Sequence, residues 1–309
     1  MTTTYRPGLF RFAVFVWFWT VLLLVAGALV TSKDAALSVA DWPTSFGTYF
    51  PSWLQLQGGA FFEHSHRVIA AILGLLLIIE AAWIWVKDDR RWLRWFVAIA
   101  VVVVVAQGIL GGEVVRQLLQ YWLPVLHACL AQIMFAAILC MAVVTSKWWL
   151  EPHQQLEDGT GFPIHSLAIF NAAVMFLQVF WGAGFRHRYT PIWPHIVGSV
   201  VVLGVMIWTA AVLRRRFDAS PELSFGRSLL HSMVGLQLLL GVAAYWSRLA
   251  TQHPTASSPM TAMVLLTVIH TVFGALTFAA SILVVLICYR LVLRRGVVTV
   301  PAKPQTATE

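Results

Sequence analysis

Long apolar runs, separated by short polar breaks, make up most of the sequence. Each run has about the 20 residues that a helix needs to cross roughly 30 Å of hydrocarbon. Because the runs are continuous and lack the alternating polarity of membrane-barrel strands, they predict helices. The eight predicted spans are approximately 10–31, 63–86, 96–115, 122–145, 164–185, 194–213, 228–246 and 260–289.

Composition agrees with a membrane protein and excludes a soluble enzyme. Of the 309 residues, 59% are hydrophobic and 11% are charged, whereas a typical soluble domain has about 25% charged residues. So few charged side chains cannot cover a soluble protein of this size, and a chain this apolar is not expected to be disordered. The net charge of +8 comes mainly from predicted loops and does not indicate nucleic-acid binding.

The distribution of basic residues predicts an orientation. Most of the 21 lysines and arginines fall in the termini and in the loops on one side of the spans. The positive-inside rule therefore places both termini in the cytoplasm, as expected for a bacterial cytoplasmic membrane. The first span also resembles a signal peptide, since Ala26-Gly27-Ala28 is similar to a cleavage site, but its apolar stretch is longer than usual. The three cysteines lie inside spans, so no disulfide is predicted.

The second half of the chain echoes the first. Gln107–Gly111 in the third span matches Gln237–Gly241 in the seventh, and Gly27-Ala28 matches Gly182-Ala183. Four spans per unit is an even number, so both copies point the same way. The sequence therefore predicts an all-α membrane protein with two parallel-repeat four-helix bundles. The predicted units are a bundle at 10–145, a cytoplasmic linker at 146–163, a second bundle at 164–290 and a disordered cytoplasmic tail at 291–309.

Four of the ten histidines follow this repeat, one from the second and one from the fourth span of each half. An ionisable residue inside a span is costly and suggests a function. A single such histidine is more often a hydrogen-bonded interhelical residue, but four at equivalent positions favour metal binding. Two facing imidazoles in a bundle suit haem iron, whereas zinc usually takes three or four protein ligands. The predicted iron ligands are His66, His127, His195 and His270.

Only the first half has a carboxylate beside its histidines. Glu63 precedes His66 by one helical turn and shares its helix face, whereas Ile192 stands at the matching position before His195. An acid or base at this place suits proton transfer. The alternative is that Glu63 stabilises the N-terminus of the helix.

Two arginines lie at the same predicted outer face as the histidines. Arg67 and Arg186 have guanidinium groups that suit charge-assisted pairing with haem propionates. Contact with lipid headgroups is the alternative. Both haem sites are thus predicted toward the outer side of the membrane.

These residues resemble the haem A synthase family over about residues 10–290. The most specific element is Glu63-x-Ser65-His66-Arg67. Further similarity lies in Gly27–Thr31, in Leu37-Ser38 through Asp41-Trp42-Pro43, and in His127, Arg186-His187, His195 and His270. Some family members carry a cysteine pair in the first outer loop, which this chain lacks between residues 32 and 62.

The resemblance implies an oxidoreductase that converts a methyl group of haem O to a formyl group, giving haem A for terminal cytochrome oxidase. It implies that the substrate haem binds at His66 and His127, with Glu63 as the catalytic carboxylate. It also implies haem b as an electron-transfer cofactor at His195 and His270. Expected partners are the haem O-forming farnesyltransferase, cytochrome oxidase assembly factors and membrane lipid, with self-association left open and no nucleic acid.

Two other functions fit paired histidines. One is a di-haem membrane protein that transfers electrons, although two sites on one side of the membrane suit that role poorly. The other is a haem transporter or chaperone. Glu63 distinguishes these hypotheses, because the enzyme needs the carboxylate and a carrier does not.

Overall fold

The computed structural model describes residues 4–251 and 260–294, in which the regular elements are helices. Eight of them are long and apolar enough to span a membrane, and α5 is a single turn. The all-α fold and the eight spans predicted from the sequence are thereby confirmed, and the chain is an integral membrane protein. The helices are α1 (Pro7–Ser32), α2 (Gly59–Lys87), α3 (Arg91–Arg116), α4 (Trp122–Thr145), α5 (Lys147–Leu150), α6 (Ile164–Arg186), α7 (Trp193–Phe217), α8 (Pro221–Ala250) and α9 (Met260–Leu291).

Most helices extend beyond the apolar runs that predicted them. The clearest case is α8, which starts at Pro221 after the N-cap Ser220, whose hydroxyl accepts the Leu223 N–H at 3.4 Å. A serine N-cap followed by proline is a favourable start for a helix. At the other end of a helix, α7 carries Arg214–Arg216 in its last turn. Positive charges there interact favourably with the negative end of the helix dipole. Polar end turns carry no apolar signal, so hydropathy alone misses them.

The helices pack in two sets. In the first set α1 packs on α2, α2 on α3, α3 on α4 and α4 back on α1. The second set closes in the same way with α6, α7, α8 and α9. Contacts of α1 and α4 with α9, and of α4 with α6, join the two sets. The parallel internal repeat itself stays a prediction.

Each set has its own apolar core. Leu77, Ile84 and Leu93 are fully buried in the first set, and Leu167, Leu213 and Leu230 are fully buried in the second. Large apolar side chains also cover the outside of the helices, as at Val102, Val200 and Leu239. In a bilayer these outer side chains face lipid rather than water.

The linker between the two helix sets pairs with the end of α9, where the disordered tail was predicted to begin. Leu156, in the predicted linker, donates its N–H to the carbonyl of Leu291 at 2.8 Å and accepts the N–H of Leu293 at 2.9 Å. Asp158 nearby accepts from Arg216 at 2.9 Å. Main-chain pairing with the linker thus holds residues 291–293, at the start of the predicted tail, and the tail itself stays a prediction. Residues 295–309 lie outside the described residues.

The helix ends opposite this linker carry two connections of very different length. The α1–α2 loop comprises residues 33–58, whereas the matching α6–α7 connection comprises residues 187–192. We call this end of the molecule the histidine end, because α2, α4, α7 and α9 begin there and carry the four histidines.

Candidate functional site

The four predicted ligand histidines lie near the beginnings of four different helices. His66 is in α2, His127 in α4, His195 in α7 and His270 in α9. Each is within roughly three turns of the first residue of its helix. The structure therefore brings all four to the histidine end, two in each helix set.

Every one of these histidine rings packs against a glycine of the preceding long helix. A methyl group added to any of the four glycines would lie 2.9–3.1 Å from the Cε1 atom of the ring. Such a distance is too short for an ordinary contact, so a larger residue would displace the ring. The pairs are Gly27 with His66, Gly111 with His127, Gly182 with His195 and Gly241 with His270.

The rings of His195 and His270 face each other across the second set. Their centroids are 6.2 Å apart and their planes are inclined by 83°. Two imidazoles on opposite sides of one metal ion would have centroids about 6 Å apart, given metal–nitrogen bonds of about 2 Å. The separation of His195 and His270 would therefore allow both to hold one iron between them.

The ring nitrogens of the histidines also suggest that they bind a group between the helices. The Nδ1 atoms of His66, His127 and His270 are buried and have no hydrogen-bond partner. Buried polar atoms are normally paired, so unpaired ones point to a ligand or water at the site. Within the described ranges no three His, Cys, Asp or Glu residues form a metal cluster. The histidine pairs therefore suit haem, which brings four of its own iron ligands, better than zinc.

Three glutamines contact the histidine-bearing helices at the same places. The Nε2 atoms of Gln107, Gln178 and Gln237 donate to the main-chain carbonyls of His127, His195 and His270 at 3.0, 2.9 and 3.1 Å. The sequence repeat pointed to Gln107 and Gln237 without giving them a role, and it missed Gln178. The signal that finds all three is Gln-x-x-x-Gly, in which the glycine is the one that contacts the histidine ring.

Glu63 is buried and its carboxylate has two partners. Arg67 donates to Oε1 at 2.7 Å, and the main-chain N–H of Val39 donates to Oε2 at 2.9 Å. Val39 belongs to the α1–α2 loop. The carboxylate predicted to be catalytic thus also connects α2 to that loop, one turn before His66.

Arg67 is bound mainly by the α1–α2 loop. Its guanidinium donates to the carbonyls of Asp41, Thr44 and Val39 at 2.7, 2.8 and 3.0 Å, in addition to Glu63. These protein partners differ from the haem propionate predicted from the sequence. A propionate contact by Arg67 stays a prediction.

Local hydrogen bonds fold the loop segment that Arg67 holds. The Asp41 carboxylate accepts from the Thr44 hydroxyl at 2.6 Å and from the N–H groups of Phe46 and Gly47 at 2.8 and 2.9 Å. The Thr44 hydroxyl and the Gly47 N–H are the main reasons that the pKa of Asp41 falls to about 2. Ser45 in turn is hydrogen-bonded to His64 Nδ1 at 2.9 Å.

Trp42 packs the same loop segment against α3. A methyl group at Gly112 would lie 2.5–2.8 Å from the Trp42 ring, so only glycine leaves room for the indole. The neighbouring Gly111 contacts His127. The α1–α2 loop is therefore anchored beside both histidines of the first set.

Arg186 joins the two helix sets at the histidine end. Its Nη2 donates to the Ala28 carbonyl at 3.0 Å and to the Ser32 hydroxyl at 2.6 Å, in the last turns of α1. The next residue, His187, has its pKa lowered to about 4 by burial and by the charge of Arg186. Propionate binding by Arg186, like that by Arg67, stays a prediction.

Glu80 is a second buried carboxyl group of α2. It is fully buried, and neither of its oxygens has a hydrogen-bond partner. It lies among the apolar residues of the first core, far along the helix from His66. The sequence left its role open, and its surroundings assign it none.

Together these features define an α-helical integral membrane protein with two half-buried histidine pairs at one end. The family model COX15-CtaA, described as cytochrome oxidase assembly protein, matches residues 10–286. The chain belongs to this family, and the resemblance found from the histidine and glutamate motifs is confirmed.

Three curated relatives are each named heme A synthase. A heme A synthase of Halalkalibacterium halodurans is 27% identical over 169 residues, which are 54% of this chain and 55% of that protein. A heme A synthase of Shouchella clausii is 27% identical over 184 residues, covering 59% of this chain and 60% of the relative. A third, from Geobacillus kaustophilus, is 22% identical over 258 residues, covering 74% and 78%. The chain thus spans little more than half the length of the first two relatives.

Proposed function

We propose that this protein is a haem A synthase, an oxidoreductase that converts a methyl group of haem O to the formyl group of haem A. The observation that carries the proposal is the set of four half-buried histidines, each packed on a glycine, in two pairs at one end of the helices. The names of the relatives support the same activity. The product serves terminal cytochrome oxidase, in agreement with the family description.

The two histidine pairs have different roles in this proposal. His66 and His127 bind the substrate haem, and His195 and His270 bind haem b as an electron-transfer cofactor. Haem iron, when bound, supplies the redox chemistry. The protein supplies the imidazoles, the glycine contacts that fix the rings, and apolar walls that exclude water.

Glu63 is the proposed group for proton transfer in the first set. Its hydrogen bonds with Arg67 and Val39 hold the carboxylate at a defined place one turn from His66. The second set has Ile192 at the matching position, and isoleucine cannot exchange a proton. The chemistry is therefore assigned to the first set.

The proposed topology follows the basic residues. Both termini lie in the cytoplasm, and the histidine end faces the outer side of a bacterial cytoplasmic membrane. Residues 10–145 form the substrate unit and residues 164–290 the haem b unit. The haem O-forming farnesyltransferase is the expected source of substrate, and cytochrome oxidase assembly factors are the expected recipients of product.

Expression with the haem O-forming farnesyltransferase tests the activity. Haem extracted from cells that contain both proteins should include haem A, identified by chromatography. Glu63→Gln should keep bound haem and abolish haem A, and His66→Ala should abolish it as well. Bound haem b without haem A in the wild type would favour a di-haem electron carrier, and full activity of Glu63→Gln would remove Glu63 from catalysis.

A further inference from the structure

The four histidine-bearing helices are held by their neighbours in an unequal way. In three cases a Gln-x-x-x-Gly segment provides both the glycine under the ring and an amide that donates to the histidine carbonyl. These segments are Gln107–Gly111 in α3, Gln178–Gly182 in α6 and Gln237–Gly241 in α8.

The exception is α1, which faces His66. Gly27 contacts the His66 ring in the same way as the other glycines do. Four residues earlier, however, α1 has Leu23, which packs on the apolar core and has no hydrogen-bond donor in its side chain. A hydrogen bond between the two helices runs instead from Trp19 Nε1 to the carbonyl of Ile69, at 3.0 Å.

Two of the three glutamine amides also lie close to a histidine ring. Gln107 Nε2 is 3.4 Å from His127 Nε2, and Gln178 Nε2 is 3.1 Å from His195 Nδ1. In a low-dielectric interior each such contact restricts the backbone that carries the histidine, and two of them restrict the ring as well. Among the described residues no glutamine amide donates to the main chain of His66, so its ring can leave a ligating position at lower cost than the rings of the other three.

We propose that His66 is the exchangeable axial ligand of the substrate site, and that Leu23 is the residue that leaves it exchangeable. This inference rests on the proposed function. Both histidines of the haem b pair are held by glutamines, as suits a cofactor that stays bound. In the substrate pair only His127 is so held, as suits a haem that must enter and leave.

The proposed step is a ligand exchange without oxidation or reduction. With haem bound, His66 would release its imidazole from iron with the electron pair kept on its nitrogen, while His127 would keep hold of the haem. Substrate and product can then exchange without disturbing the second helix set.

Leu23→Gln tests the proposal, because it restores the Gln-x-x-x-Gly segment in α1. Full-length protein carrying His195→Ala confines tight haem binding to the first set, and haem b serves as the probe. Haem transfer to apomyoglobin measures dissociation, and carbon monoxide binding to the reduced protein measures opening of an axial position. Leu23→Gln should slow both about tenfold, the effect of roughly one net hydrogen bond.

Leu23→Met is the matched control, because it keeps the volume and adds no donor. It should leave both rates unchanged. The converse variant is Gln237→Leu, combined with His66→Ala so that tight haem binding is confined to the intact second pair. It should speed haem loss from the second set about tenfold. This second variant keeps the test decisive if Leu23→Gln fails to fold.

The inference would be overturned if Leu23→Gln left the rates of haem transfer and carbon monoxide binding unchanged. An unchanged rate of haem loss in Gln237→Leu would overturn it as well. Failure of the proposed function looks different. In that case cells that contain this protein and the haem O-forming farnesyltransferase would yield no haem A, whatever the haem exchange rates of the Leu23 variants.

Discussion

Glu63 and Arg67 form an ion pair with 2.7 Å between Oε1 and Nη2, on consecutive turns of α2. Both side chains are largely buried, with 5% and 15% of their surface exposed. Through this pair the first turns of α2 hold the main chain of the α1–α2 loop at Val39, Asp41 and Thr44. The family motif at the start of α2 thus has a structural role in addition to its proposed chemistry.

Arg67→Ala should destabilise the protein by about 3 kcal/mol, because it leaves the buried Glu63 carboxylate without its partner. The α1–α2 loop should also become sensitive to protease. Thermal unfolding in detergent and limited proteolysis measure the two effects.

Arg116→Ala is the matched control, since it removes an ion pair with Glu113 in which Arg116 is 63% exposed. That change should cost less than about 1 kcal/mol. Similar losses for both variants would contradict a special role for Arg67.

Gly112→Ala should disturb the same loop from the side of α3, because the added methyl group overlaps the Trp42 ring. Overpacking of this kind costs about 1–3 kcal/mol. Gly108→Ala, in the same helix with nothing within 4 Å of the added methyl group, should be neutral or slightly stabilising. Thermal unfolding of the two variants decides the matter, and equal stability would show that Trp42 moves freely.

Gly241→Ala should weaken haem binding in the second set, because its methyl group would lie 3.1 Å from the His270 ring. The expected result is a loss of the low-spin absorbance of a bis-histidine haem. Gly235→Ala in the same helix meets nothing within 4 Å and should retain the spectrum. A normal spectrum in both variants would argue against His270 as a ligand.

Acid should loosen the α1–α2 loop through Asp41. Its folded pKa of about 2 lies below the ordinary aspartate value of 3.8, because the Thr44 hydroxyl and the Gly47 N–H stabilise the carboxylate. A lowered pKa contributes stability that is present above about pH 4 and is lost as the pH falls toward 2. The protection of the Phe46 and Gly47 amides from hydrogen exchange, measured relative to an unstructured peptide at the same pH, should therefore fall over this interval.

Asp41→Asn is the control for that pH profile. It should show lower protection of these amides at neutral pH and little further change in protection between pH 4 and 2, since the titrating group is gone. A wild-type profile that matches this variant would exclude Asp41 as the cause.

Several parts of the protein were determined by the sequence itself. Eight helices follow from apolar runs long enough to cross a bilayer, because a backbone in lipid must satisfy its own hydrogen bonds. The histidines could be picked out because ionisable residues are scarce inside the spans. The Glu63–Arg67 motif was also visible, although its contacts with the α1–α2 loop were not predicted.

Tertiary structure decided what the remaining polar groups contact. Arg67 and Gln178 bind main-chain carbonyls of other segments, and a carbonyl has the same chemistry whichever residue carries it. The contact of Trp42 with Gly112 joins residues far apart in the chain, and a glycine shows no sign of its neighbour. The contrast between Leu23 and the three glutamines likewise acquires meaning only when the helices pack, because only then does each residue face a particular histidine.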